Sequence, residues 1–295
     1  MNQKYLNPKF INTLDNLHLK AKFIVEGFMT GLHKSPFHGY SVEFSEHRPY
    51  SQGDETKNID WKIWSKTDKY FIKRYEEETN LLCHILLDSS KSMSFNSDIL
   101  SKFEYAKTLA AAISYLIINQ RDSVGLQVFD SKIRQIIHPK STKNHLNIIL
   151  SVMNNIIPNN KTEIGKILNL TAEKIKKRGL VIILSDLFDE KESVIHSLKN
   201  LRYKNHDVIL FHILDEKEIN LDYNEKIIFK DLENMKTIVS NPWQIKDDYK
   251  NSIKKMLNYY KKECTKLNVD YNLIKTSNSL ESALHQFLNK RKRIL

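Results

Sequence analysis

Chemistry in this chain of 295 residues gathers where an apolar run breaks into oxygens. Leu81 to Leu87 reads Leu-Leu-Cys-His-Ile-Leu-Leu, a run of strand length, and it ends abruptly in Asp88-Ser89-Ser90-Lys91-Ser92-Met93. Asp88, Ser90 and Ser92 share one parity, so a nearly extended loop would aim a carboxylate and two hydroxyls at one ion. Hard oxygens with no Cys or His among them suit magnesium, manganese or calcium rather than zinc. A second apolar run, Gly179 to Leu184, also ends in a hydroxyl and a carboxylate, Ser185-Asp186. In an open parallel sheet the carboxyl ends of strands are where ligands sit. Taken alone, Asp-x-Ser-x-Ser reads as a plain polar turn sooner than as a metal site.

The elements that must position these residues alternate along the chain. After the Asp88 strand, Phe103, Ala106, Leu109, Ala110, Ile113, Leu116 and Ile117 mark a helix opening at Ser101 with a wide apolar face. Asp122 to Phe129 is a strand, with Gly125 where a neighbour approaches closely. Ile133 to His138 returns after the turn Asp130-Ser131-Lys132 as an edge strand ending before Pro139. Helices follow over 142–156 and from the 159–166 loop to Lys177. The strand to Leu184 is succeeded by a helix over 194–201, a strand over 208–214 and an extended piece over 227–229. A helix over 245–267, a strand over 271–274 and a helix over 280–288 close the chain. Strands alternating with helical crossovers predict an α/β fold, a mainly parallel central sheet with helices on both faces.

Ahead of this lies a different stretch. Phe10, Leu14, Leu17, Ala21, Ile24 and Phe28 give residues 8–30 a helical period, with Gly31 a plausible stop. Gly31 to Glu78 is aromatic and charged, and the alternation of Val42 and Phe44, then Tyr70, Ile72, Arg74 and Glu76, suggests two strands flanking a turn and a short helix. The expected division is a small α+β N-terminal segment over residues 1–79, packed on a main domain over 80–295.

Three strings in this stretch and beyond carry a resemblance. Glu43-Phe44-x-Glu46-x-Arg48-x-Tyr50-x-x-Gly53-Asp54, then Ile59-Asp60-Trp61-Lys62, then Lys73-Arg74-Tyr75-Glu76-Glu77-Glu78-Thr79-Asn80 precede the Asp-x-Ser-x-Ser strand. Together they resemble the bacterial family of von Willebrand factor A-like proteins called domain of unknown function fifty-eight. The resemblance implies a metal-ion-dependent adhesion site in which Asp88, Ser90, Ser92, Thr162 and Asp186 hold Mg2+, with Mn2+ or Ca2+ possible. It also implies a MoxR-type AAA+ ATPase as partner. Arg48, Tyr50, Gly53, Asp54, Asp60, Trp61, Arg74 and Glu77 are expected to form a structural or partner-contact cluster. In it Arg48 pairs with Asp54, Asp60 and Glu77 under Trp61, and the plainer role is to fasten the N-terminal segment onto the main domain.

Composition sets the remaining bounds. With 41% hydrophobic residues the chain can bury a sizeable core, and no run of about 18 apolar residues is present to span a membrane. The N-terminus lacks a signal-peptide core, which leads to a cytoplasmic expectation. The two cysteines, Cys83 and Cys264, have no paired spacing for a disulfide framework or zinc ribbon. The net charge of +11 comes from lysines scattered between acids, with one basic block, Lys290 to Arg293, so nucleic acid is an unfavoured partner. His84 points away from Cys83 and reads as a core histidine bonded to a neighbour.

No P-loop and no Gly-x-Ser-x-Gly occur. A phosphoaspartate phosphatase of the haloacid dehalogenase type needs a second Asp two residues after the first, where Ser90 stands. The expectation is therefore a binding protein without enzymatic activity. It would hold Mg2+, grip an Asp or Glu of a client, and act with the ATPase in chaperone-like maturation or remodelling. A metal-dependent phosphohydrolase is the alternative.

Overall fold

The computed structural model of the chain describes residues 16–32, 47–51, 61–67, 69–73, 81–97, 100–222, 227–230, 237–240 and 242–294. By compactness the chain divides into residues 1–31 with 81–295, and residues 32–80. The division thus differs from a single cut at residue 79, because the N-terminal stretch groups with the larger unit.

In the larger unit six strands form one sheet: β3 (Leu82–Asp88), β4 (Ser123–Phe129), β5 (Ile133–Lys140), β6 (Leu180–Ser185), β7 (Asp207–Leu214) and β10 (Asp270–Lys275). Their spatial order is β10-β7-β6-β3-β4-β5. All neighbours are parallel except β4 and β5, the antiparallel hairpin at one edge. The sheet is mainly parallel, as the alternation of elements predicts. The central strands are continuous apolar runs because both of their faces are covered.

Parity separates the two faces. Leu86, Val181, Ile183, Val208 and Leu210 join one core cluster with Ile164 and Leu168 of α5 (Ile164–Lys174), Val194 and Leu198 of α6 (Lys191–Tyr203), and Tyr260 and Cys264 of α8 (Pro242–Lys266). Ile85, Leu87, Ile182 and Leu184, of the other parity, are equally buried. Their face is covered by α3 (Lys102–Asn119), which packs on β3, β4, β6 and β7. Also in this unit are α1 (Leu17–Leu32), α4 (Lys143–Asn154) and α9 (Leu280–Ile294). The α1 face of Leu17, Ala21, Ile24 and Phe28 is buried, and Phe28 meets His285 of α9 edge-on at 4.8 Å.

Several expectations need correction. The hairpin strand does not stop before Pro139 but runs through it to Lys140, which the sheet edge tolerates because an edge strand has a row of unpaired donors. Two short elements went unforeseen: α7 (Glu216–Asn220) and β9 (Thr237–Ser240), the latter antiparallel to β8 (Ile227–Lys230). His84 is half-buried rather than enclosed, and it lines a 340 Å³ cavity with His138 and Gln127. Burial first, then the nearby His206 and His138, pushes its imidazole down to about 4. Gly125 stands where foreseen: a Cβ there would lie 2.6 Å from the Ile137 carbonyl and 2.9 Å from Pro139 Cδ.

The smaller unit contains the antiparallel pair β1 (His47–Pro49) and β2 (Phe71–Lys73), and α2 (Trp61–Thr67). Four of its aromatic side chains form a ladder. Trp61 meets Trp64 edge-on at 6.1 Å, Trp64 stacks on Tyr70 at 6.1 Å, and Tyr70 meets Tyr50 at 6.3 Å. Among the described residues, no helix is long and apolar enough to cross a membrane.

Candidate metal centre

The register of the sheet builds the site. Leu87 pairs with Leu184, so the next residues, Asp88 and Ser185, are neighbours at the ends of β3 and β6. Ser185 Oγ donates to Asp88 Oδ2 at 2.6 Å. Beyond β3 the chain does not stay extended: Lys91–Ser94 is a 3-10 turn, and it is this turn that brings the Ser90 and Ser92 hydroxyls to 3.0 Å, where they share a hydrogen bond. The Ser90 N–H donates to Asp88 Oδ1 at 2.8 Å. Ser89, pointing the other way, is tied to the end of β4 by its N–H and hydroxyl, which both donate to the Phe129 carbonyl.

Thr162 arrives from the loop before α5. Two backbone bonds staple that loop to the Asp88 loop: Asn159 N–H donates to the Ser89 carbonyl and Lys91 N–H to the Asn160 carbonyl, each at 2.9 Å. Asn160 turns the chain at φ 61°, a left-handed conformation that Asn tolerates, and its side chain donates to Asp130 at 2.8 Å. The result sets Thr162 Oγ1 3.4 Å from Asp88 Oδ2.

Asp186 follows β6 and is fixed by residues that the sequence reading did not single out. Lys102, the first residue of α3, is wholly buried, and its Nζ donates to Asp186 Oδ2 at 2.8 Å and to Glu218 Oε1 at 2.6 Å. Its signal was present in the sequence: a lysine in register with Ala106, Leu109 and Ile113 on an apolar helical stripe. Burial opposes the ammonium, but Asp186 and Glu218 more than offset it, and the Lys102 pKa is raised. Burial raises that of Glu218 despite Lys102. His212 of β7, whose register partner is Ser185, bonds the Asp186 carbonyl through Nε2 at 2.9 Å. A carbonyl only accepts, so Nε2 carries the proton and Nδ1 accepts from Tyr271 Oη at 2.8 Å. Burial holds this imidazole down to about 4, so it is neutral.

The five residues Asp88, Ser90, Ser92, Thr162 and Asp186 therefore come from three segments, the end of β3, the loop before α5 and the end of β6. Asp88 and Asp186 are both fully buried. Burial, and then the charge of Asp186, pushes the Asp88 carboxyl up to about 7, against the opposing bonds from Ser185 and Ser90. An excess of buried negative charge beside neutral hydroxyls is what a divalent cation relieves. Adjacent octahedral ligands of an ion at about 2.1 Å lie about 3.0 Å apart, and at about 2.4 Å about 3.4 Å apart. The Ser90–Ser92 separation equals the edge of the smaller shell and the Asp88–Thr162 separation that of the larger. Among the described residues no three His, Cys, Asp or Glu converge as a metal group, so such an ion depends on the hydroxyls as much as on the carboxylates.

The expected cluster around Arg48 lies largely outside the described residues: Gly53, Asp54, Asp60, Arg74 and Glu77 do so entirely. Arg48 is described only as the β1 residue paired with Ile72. Tyr50 belongs to the aromatic ladder, and Trp61, 56% exposed, presents its ring to Trp64.

Comparisons with known proteins place the chain. Uncharacterized proteins Mb1516 of Mycobacterium bovis and Rv1480 of Mycobacterium tuberculosis are each 22% identical over 232 residues, covering 77% of this chain and 72% of theirs. Among solved structures, conserved hypothetical protein BatB from Bacteroides thetaiotaomicron is similar with a TM-score of 0.48 at 20% identity, covering 72% of this chain and 99% of that one. The SpRpn10 VWA domain has a TM-score of 0.42 at 17% identity, covering 70% and 94%. The profile of the family described as protein of unknown function DUF58 matches residues 46–257, a span that holds Asp88, Thr162 and Asp186, and the chain belongs to that family.

Proposed function

We propose that this protein is a metal-dependent protein-binding module, not an enzyme. Asp88, Ser90, Ser92, Thr162 and Asp186 hold Mg2+, with Mn2+ or Ca2+ as substitutes, and the site grips an Asp or Glu of a client protein. The observation that supports the reading is that Thr162 and the Ser90–Ser92 pair gather about Asp88 at the end of β3, with Asp186 following the end of the adjacent parallel strand β6. When bound, the ion supplies a Lewis-acidic position that a partner's carboxylate can take. The chain's own residues do the rest: Ser185, Lys102 and His212 orient the carboxylates, and the stapled loops keep the hydroxyls within reach. In this reading a MoxR-type AAA+ ATPase is the working partner and the task is chaperone-like maturation or remodelling in the cytoplasm. Two buried free cysteines suit a reducing compartment.

The test is capture of the ATPase and its clients on the immobilised chain, with and without chelator. Loss on chelation and recovery with Mg2+ are expected for the parent, and no metal-dependent capture for Asp88→Ala or Asp186→Ala. Capture indifferent to chelator would refute the metal dependence. Phosphate release from generic substrates that disappears in Asp88→Ala would instead favour a phosphohydrolase.

A further inference from the structure

We propose that Lys102 decides which divalent ion this site accepts, by withholding one carboxylate oxygen from it. The inference rests on the metal-binding reading above and concerns its selectivity. Lys102 Nζ lies 2.8 Å from Asp186 Oδ2 and 2.6 Å from Glu218 Oε1, and the rings of Phe188 and Phe95 stand 4.7 and 5.9 Å from it. Two anions and two rings hold the ammonium, and moving it away would leave Asp186 and Glu218 uncompensated in a buried place. Glu218 is itself fixed: its other oxygen accepts from the Asp215 N–H in the capping box of α7, and Asp215 also binds Ser97. Lys102 is therefore a permanent part of the site.

The consequence follows from counting oxygens. Asp186 Oδ2 is turned to the Lys102 ammonium, so Oδ1 is the freer of its two oxygens: among the described residues its donor is the Phe188 N–H, at a long 3.4 Å. Asp88 is restricted in the same way, with Oδ1 taking the Ser90 N–H at 2.8 Å and Oδ2 the Ser185 hydroxyl at 2.6 Å. Neither carboxylate can turn both oxygens freely toward one ion. Ca2+ takes about six to eight oxygens and commonly a two-oxygen carboxylate, whereas Mg2+ keeps to near-octahedral geometry with carboxylate oxygens taken singly. Lys102 thus favours the smaller ion, and its charge tempers the affinity for either.

Lys102→Met keeps a long apolar stem in place and removes the charge, freeing Asp186 Oδ2. The experiment is calorimetric titration of the full chain with Mg2+ and separately with Ca2+, for the parent and for Lys102→Met, with melting curves alongside. The parent is expected to prefer Mg2+, and the ratio of Mg2+ to Ca2+ association constants to fall by about tenfold or more in the variant. A parent that binds neither ion overturns the metal-binding reading itself. A parent that prefers Ca2+, or an unchanged ratio in a folded Lys102→Met, overturns the role of Lys102 alone. Where Lys102→Met does not fold, Glu218→Gln serves. It leaves Lys102 to Asp186 alone, so Oδ2 stays withheld and the ratio of Mg2+ to Ca2+ association constants should hold or rise; a ratio that falls overturns the proposal.

Discussion

Thr162 Oγ1 lies 3.4 Å from Asp88 Oδ2, although 74 residues separate the two along the chain. The closure is made by backbone bonds between the 159–160 and 89–91 loops, so the hydroxyl is delivered by the fold and not by its own bond to Asp88. Removing the hydroxyl while keeping the shape should therefore spare the fold. Thr162→Val is expected to change the stability of the metal-free chain by no more than about 1 kcal/mol in denaturant unfolding. Mg2+ affinity by calorimetry should fall about tenfold or more.

Metal binding should depend on pH through Asp88. Its carboxyl, raised to about 7 by burial and by Asp186, must lose its proton to serve an ion. Apparent Mg2+ affinity is expected to rise roughly tenfold per pH unit below that point and to level off above it. Without metal the sign for stability is the reverse. The native state holds the Asp88 proton between the unfolded value near 4 and about 7, so this group's contribution is full below about 4 and is lost as pH rises through 7. Asp88→Asn should remove that loss, and at pH 8 it should melt higher than the metal-free parent while no longer responding to Mg2+.

His212 acts in the opposite direction. Burial keeps it neutral down to about 4, whereas the unfolded imidazole takes a proton near 6.5. Between those values the unfolded state binds more protons, so stability falls as pH falls. The contribution is on the order of 3 kcal/mol at the acid end. Melting curves of His212→Gln across pH 4 to 7 should show a pH dependence shallower by about one proton. A slope identical to that of the parent would mean that His212 does not stay neutral.

Gly125→Ala tests the packing at the sheet edge. The added Cβ would meet the Ile137 carbonyl at 2.6 Å and the Pro139 ring at 2.9 Å, neither of which is a flexible side-chain end. The substitution should destabilise by roughly 1–3 kcal/mol in denaturant unfolding. Because β5 lies on the side of β4 away from β6, it should leave Mg2+ affinity nearly unchanged.

The sheet was readable in the sequence because parallel strands covered on both faces need uninterrupted apolar runs, and Leu81 to Leu87 and Leu180 to Leu184 supply them. The order of helices was readable for the same reason, each carrying one buried stripe. Asp88, Ser90, Ser92 and Asp186 stood out because polar residues at the end of such a run contrast with it. Ser185 was noted only as a neighbour of Asp186, since its bond to Asp88 requires the pairing of Leu87 with Leu184, which no local pattern contains. Glu218 and His212 were hidden likewise: one sits on a five-residue helix and the other inside an apolar strand. The parity argument for Ser90 and Ser92 assumed an extended loop, and the 3-10 turn brings the hydroxyls together by a different route.

The pairing of Leu87 with Leu184 has a consequence for folding. A slip of β6 by one residue would turn Ser185 to the opposite face of the sheet and carry Asp186 out of reach of Lys102 and His212. An ion that requires both aspartates would then find no home in the slipped form, and by mass action its presence would draw molecules toward correct pairing. Bound metal would in this way proofread the centre of the sheet, rewarding only the alignment that brings the two aspartates together.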